Sequence, residues 1–177
     1  MTPDLERLLG GEAASDATSD PPEDGRWDAP WDALGDVPAR LHAAVAPRRL
    51  VIGWATVELD RAEVEVGAAL AAGLGPDLPI RDDAPDDELL GARCRLLRSA
   101  RGEVLLLEPS TEGRLAAALA RHDEGPLVRF LFGGSDGPER ARQAGLVPSA
   151  SGDGPFGSER LVLGGPRWGP FLLLVAE

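Results

Sequence analysis

At 177 residues with 43% hydrophobic side chains, the chain is long enough for one domain with a sizeable core and too short for two ordinary ones. Its net charge of −12, from 30 acidic against 18 basic residues, disfavours nucleic acid as a partner, because phosphates need a basic surface. The lone Cys94 excludes an internal disulfide, and neither a long apolar run nor a charged-then-apolar N-terminus is present, so a cytoplasmic protein with no membrane contact is expected.

All 18 basic residues are arginine, and lysine, tyrosine and asparagine are absent, which reads as a bacterial gene of high G+C content. Residues 1–48 carry ten acids and four arginines, and the remainder twenty acids and fourteen arginines, so each part has a net charge of −6. A solvated acidic surface is the simpler reading; a cationic ligand is also compatible with it.

The first segment, residues 1–37, reads as an acidic and mostly disordered extension, rich in Gly, Ser, Pro and Asp between residues 10 and 36. Asp4 to Leu9 can make a helical turn. Trp27 and Trp31, four residues apart, share a helix face and are large enough to dock the extension on the domain or on a partner. Residues 38–49 read as a short helix, Pro38 to Val45, and a linker, with Leu41, Ala44 and Val45 against the domain edge and His42 at the surface.

Residues 50–177 form the expected domain. Leu50 to Val57 is rich in β-formers, and Asp60 can cap a following helix whose apolar stripe takes in Val64, Ala68 and Leu70 and stops at Gly73 and Gly75. Asp77 to Glu88, dense in acids and proline, reads as a loop. Gly91 to Arg98 is an arginine-studded strand that turns through Ala100-Arg101-Gly102 into the apolar strand Val104 to Leu107. Glu108-Pro109 stops that strand, since proline has no ladder N–H. Ser110 or Thr111 can cap a helix with Leu115, Ala118 and Leu119 on one face, which Asp123 to Pro126 ends. The strand Leu127 to Phe132 follows, then a helix near Pro138 to Ala144, an extended piece at Leu146 to Pro148, and strands at 159–163 and 170–176. The glycine pairs and clusters lack phosphate-loop spacing and read as turns.

Leu106-Leu107-Glu108-Pro109 and His122-Asp123-Glu124-Gly125 stand in the order in which a strand, a short helix and a turn cross the centre of a known fold. In that pattern the chain resembles the vicinal oxygen chelate superfamily, the glyoxalase, bleomycin-resistance and dioxygenase group, and most closely its methylmalonyl-CoA epimerase branch. The resemblance implies an α+β domain of two βαβββ modules, at about residues 50–112 and 125–177. The weak strand, helix, strands repeat along the chain agrees with it.

The resemblance also implies where a divalent metal would sit: one ligand on the first strand, one before the Leu-Leu-Glu-Pro-like end, one on the strand after the Glu-Gly turn and one on the last strand. The matching residues are Val51, Leu105, Val128 and Leu174, and an aliphatic side chain has no lone pair to give a metal. No metal and no other cofactor is therefore expected. The apolar lining that replaces the ligands reads either as a filled core or as a small-molecule pocket. For the pocket, the candidate ligand-binding residues are Arg129, Trp54, Leu105, Val128, Phe130, Trp168 and Leu174. Strict alternation puts Arg129 on the helix-packed face, whereas a register shift puts it in the cavity, where it could grip an anion. Arg93 and Arg95 share a face of their strand, read as solvated.

Three functions stay open. The first is a metal-independent small-molecule-binding protein of the glyoxalase and bleomycin-resistance fold, for which a homodimer is common. The second is a metal-free epimerase, lyase or isomerase with Arg129 as electrostatic stabiliser and Glu103 or Glu108 as base. The third is a degenerate domain that serves as a protein-interaction module through its acidic extension.

Overall fold

A computed structural model describes residues 29–71, 79–100 and 102–176. Among these, helices α1 (Ala29–Asp32) and α2 (Val37–Val45) precede strand β1 (Arg49–Ala55), helix α3 (Leu59–Ala71) and strands β2 (Ile80–Asp87), β3 (Ala92–Ser99) and β4 (Gly102–Pro109). Helix α4 (Arg114–His122) leads to β5 (Gly125–Phe132), α5 (Gly137–Gln143), the short strands β6 (Val147–Pro148) and β7 (Gly152–Gly154), and then β8 (Gly157–Leu163) and β9 (Phe171–Val175). None of the described helices is long and apolar enough to cross a membrane.

The strands form one sheet in the order β2-β3-β4-β1-β5-β9-β8-β6, with β7 beside β8. The order contains a repeat. In the first module β1 pairs with β4 in parallel, and β4, β3 and β2 follow as an antiparallel meander. In the second, β5 pairs with β9 in parallel and β8 follows antiparallel. The modules join through the antiparallel pair β1 and β5. The fold is thus α+β, built from two βαβββ modules, and the sheet curls until Glu88 after β2 donates its N–H to Asp153 O in β7 at 3.0 Å.

The strand called β2 corrects the loop expected over Asp77 to Glu88. Its acids made it look unfit for a sheet, yet they stand on an edge strand where half the side chains face water, and Arg98 and Arg81 pair with Asp82 and Asp83. Pro85 sits where the ladder register shifts between Ala84 and Asp87, the place where a missing N–H does least harm. Helix α3 buries Leu59, Ala62, Val66 and Leu70, while Val64 is 72% exposed, so the expected stripe was out of phase apart from Leu70. Helix α4 starts at an N-cap glycine, Gly113, with no side-chain cap bond, rather than at Ser110 or Thr111. The turn expected at Asp4 to Leu9, Trp27, and the stop at Gly73 and Gly75 lie outside the described residues.

Alternation along each strand divides the apolar residues between two faces. On the concave face, Val51, Ala55, Leu105, Leu107, Val128, Phe130, Phe132, Leu173 and Val175 form one cluster with Leu115, Ala118 and Leu119 of α4. Gly53 belongs to this face, and a Cβ there would lie 2.7 Å from both Leu107 and Val128, so only glycine lets β4 and β5 approach β1 this closely. On the convex face, α3 covers Leu97, Val104, Leu106 and Trp54 of the first module. The matching helix of the second module, α5, has seven residues against thirteen in α3 and is too short to cover its half. Trp31, Leu34, Leu41 and Val45 fill the gap over Leu131, Leu172 and Leu174. Residues 31 to 45 are therefore part of this packing, and the reading of 10–36 as mostly disordered does not hold from residue 29 onward.

Candidate functional site

The concave face is the side of the sheet on which the repeat converges, and each sequence-derived candidate can now be placed against it. Val51, Leu105, Val128 and Phe130 lie on it, each fully buried, with the Phe130 ring meeting Phe156 edge to face at 5.2 Å. Leu174 does not. It pairs with Leu131 across β5 and β9 and packs with the helices, whereas Leu173, partner of Phe130, takes the concave position. On the last strand the residue that faces the concave side is therefore Leu173, which is aliphatic too.

Trp54 also faces the helices, against α3, and not the concave face. Trp168 lies in the loop before β9, 39% exposed, with the Arg167 guanidinium 4.6 Å above its ring, and lines a surface crevice with Glu112 and Arg114. Arg129 follows strict alternation onto the helix-packed face, where its guanidinium stands 4.0 Å from the centre of the Trp31 ring. The Trp31 indole N–H in turn donates to Pro126 O at 2.9 Å. An anion-gripping arginine in the concave interior is thereby ruled out for residue 129. Glu103 is bound to Arg49 and Arg98, and Glu108 to Arg93, so neither is placed as an available base. Arg95 is not solvated: it joins β3 to α3 through Asp60 and Glu63 at 2.8 and 2.6 Å.

Glu124 accepts two bonds from Arg61 at 2.6 Å, one from Thr56 Oγ1 at 3.0 Å and one from Val57 N at 2.8 Å, tying the β1–α3 turn to the start of β5. Burial pushes its carboxyl up, but the bonds from Arg61, Val57 and Thr56 outweigh that and hold it below the usual range. Glu124→Gln is expected to lose about 1–2 kcal/mol, since the pair is partly solvated, as urea denaturation at neutral pH would measure.

Sequence reasoning missed the polar part of the concave face. Asp87 at the end of β2 and Glu159 in β8 are 1% and 0% exposed, one from each module. Asp87 Oδ1 accepts the Leu90 N–H and Glu159 Oε1 the Phe156 N–H, both at 2.9 Å, while Asp87 Oδ2 and Glu159 Oε2 are buried without a partner. Burial pushes the Asp87 carboxyl up to about 6, helped by the charge of Glu88. Burial again, with the charge of Asp87, pushes Glu159 up to about 8. Cys94, two residues along from Ala92 on the same face, is buried and its thiol pushed up, so it stays protonated. One signal in the sequence pointed here: Glu159 stands two residues before Leu161 and so shares its face. Gly154 faces it, because a Cβ there would lie 2.5 Å from the Glu159 carboxyl.

A metal of the kind the resemblance implies does not fit these residues. The concave positions Val51, Leu105, Val128 and Leu173 offer no donor, and among the described residues no group of three or more His, Cys, Asp and Glu could hold an ion.

Comparison with known proteins agrees with the architecture. No protein-family model and no curated protein matches the chain. A hypothetical protein from Bacillus halodurans C-125 superposes with a TM-score of 0.56 at 16% identity, over 72% of this chain and 91% of its own. Methylmalonyl-CoA epimerase from Mycobacterium tuberculosis superposes with a TM-score of 0.55 at 19% identity, over 71% and 85%. The class these define is the paired βαβββ domain. The chain has the vicinal oxygen chelate, or glyoxalase-like, fold.

Proposed function

We propose that the protein binds a small molecule on the concave face of a glyoxalase-like domain and does so without a metal. The observation that carries this reading is the pairing of aliphatic side chains, at the positions where the resemblance implies metal ligands, with two buried carboxylates, Asp87 and Glu159, on the same face. An apolar wall with a few convergent polar groups is the composition of a ligand site. Aromatic rings of Phe130, Phe132 and Phe156 meet there edge to face, which suits a ligand with a ring or short hydrocarbon body. Chemical-shift mapping with 2-phenylethanol tests the reading. Shifts concentrated at Leu105, Val128, Phe130 and Phe156 are the expected result, and shifts elsewhere or nowhere overturn it.

The metal part is tested separately. Purified protein is expected to carry well under one equivalent of Zn, Co, Ni, Mn or Fe, and its melting temperature to be unmoved by a chelator. Elemental analysis near one equivalent of any of these sinks it.

A second reading, a metal-free epimerase, lyase or isomerase, draws on a different observation. Asp87 and Glu159 belong to opposite modules and have pKa values pushed to about 6 and about 8, so near neutrality one is a base and the other an acid. They replace Arg129, Glu103 and Glu108 in that role. Solvent deuterium incorporation into a bound carbon acid, lost in Glu159→Gln, is its signature.

A further inference from the structure

We propose that Asp87 and Glu159 together form the receptor for the ammonium group of a small primary amine with an apolar body. The inference rests on the concave-face reading above and adds the chemical class of the ligand. Asp87 Oδ1 accepts the Leu90 N–H and Glu159 Oε1 the Phe156 N–H, each at 2.9 Å, which fixes the orientation of both carboxyls. Each leaves its second oxygen buried and unpartnered, at a site where an unmet acceptor is expensive. Among the described residues no arginine or histidine pairs with either: on this face Arg49 and Arg98 are taken by Glu103 and Asp82. The two carboxyls are thus left without a paired cation among the described residues, the Arg49 guanidinium over the Phe156 ring at 5.3 Å being bound to Glu103.

Below about pH 8 Glu159 keeps its own proton, and once it is ionised three kinds of group could meet those oxygens. A metal ion needs more donors than the site supplies. A neutral hydroxyl satisfies one oxygen and leaves the other. An ammonium group carries three donors and a positive charge, so it satisfies both and offsets the charge that burial disfavours. The net charge of −12 draws cations toward the protein from a distance. The apolar body of the amine would lie along Leu90, Ala92, Leu161 and Phe156, which share this cluster.

Binding of an ammonium requires the carboxyls ionised, and so releases protons from the site. Asp86 and Glu88 flank Asp87 on its own segment, Cys94 faces it from β3, and Asp153 stands across the seam in β7, none of them positive; on the Glu159 side Arg49 lies 5.3 Å from the Phe156 ring and is paired with Glu103. With Glu159 near 8, affinity for an amine is expected to rise about tenfold from pH 7 to pH 9, where the amine itself is still charged.

Isothermal titration of the full chain with phenethylamine, 2-phenylethanol and ethylbenzene at pH 7, 8 and 9 tests this. The expected result is that phenethylamine binds, with the stated pH dependence, and that the alcohol binds weakly and independently of pH. Glu159→Gln and Asp87→Asn should each weaken the amine at least about tenfold, and Glu159→Gln should remove the rise in amine affinity between pH 7 and pH 9. Equal, pH-independent binding of amine and alcohol overturns the ammonium receptor and leaves the concave-face reading standing. Binding of none of the three probes overturns both. The probe comparison uses the unaltered protein, so the test holds even where a variant fails to fold.

Discussion

Glu159→Gln is expected to raise stability at pH 8.5 by roughly 2–4 kcal/mol and to change it little near pH 4. Glu159 has its carboxyl pushed from an ordinary 4.5 to about 8 by burial and by the charge of Asp87. Between those values the folded protein keeps a proton that the unfolded chain has given up, so it binds more protons than the unfolded state and its stability falls as pH rises. The contribution is complete below about 4.5 and lost as pH climbs through about 8. Glutamine keeps the shape of the protonated acid and cannot ionise, so the decline disappears. Asp87 adds a loss of the same sign from 3.8 to about 6, which remains in the variant. Glu124, held below its usual range, acts oppositely and withdraws stability as pH falls. Urea denaturation of both proteins at intervals from pH 4 to 9 measures the difference. Parallel profiles would mean that Glu159 is hydrated in solution and its carboxylate is not desolvated.

The same residue shows where the sequence stops being legible. The strands of high apolar content, β1, β4, β5 and β9, were visible because burial on both faces demands an unbroken hydrophobic run. Their order and the repeat followed, and with them the fold. Strand β2 was not visible, because an edge strand solvated on one face can consist largely of acids and still pair through its backbone. Asp87 was hidden by the same segment. Register was half legible: alternation put Arg129 on the right face, but a match carried without gaps to β9 chose Leu174 over Leu173. A single-residue slip exchanges the faces of a strand, and in an all-aliphatic run such as Phe171 to Val175 nothing in the sequence marks it.

The helix layer over the second module makes the other large prediction. Trp31 is 9% exposed, its indole N–H bonded to Pro126 O and its ring under the Arg129 guanidinium. It lies over β5, a strand whose own module supplies only the seven-residue α5 as cover. Trp31→Ala removes the largest side chain of that cluster, leaves the Pro126 carbonyl unmet and takes the ring from Arg129, and is expected to lose roughly 3–5 kcal/mol. A cycle with Arg129→Leu should show the two residues coupled by about 1 kcal/mol, the size of a partly desolvated cation over an aromatic ring. Deleting residues 1–36 should reproduce the Trp31→Ala loss and exceed it, since Leu34 goes as well. Deleting residues 1–25, a stretch poor in aliphatic side chains, should leave the melting temperature close to that of the full chain. Equal stability of both truncations would show that the first helices do not cover the sheet, and would return the second module to a layer completed by something other than this chain.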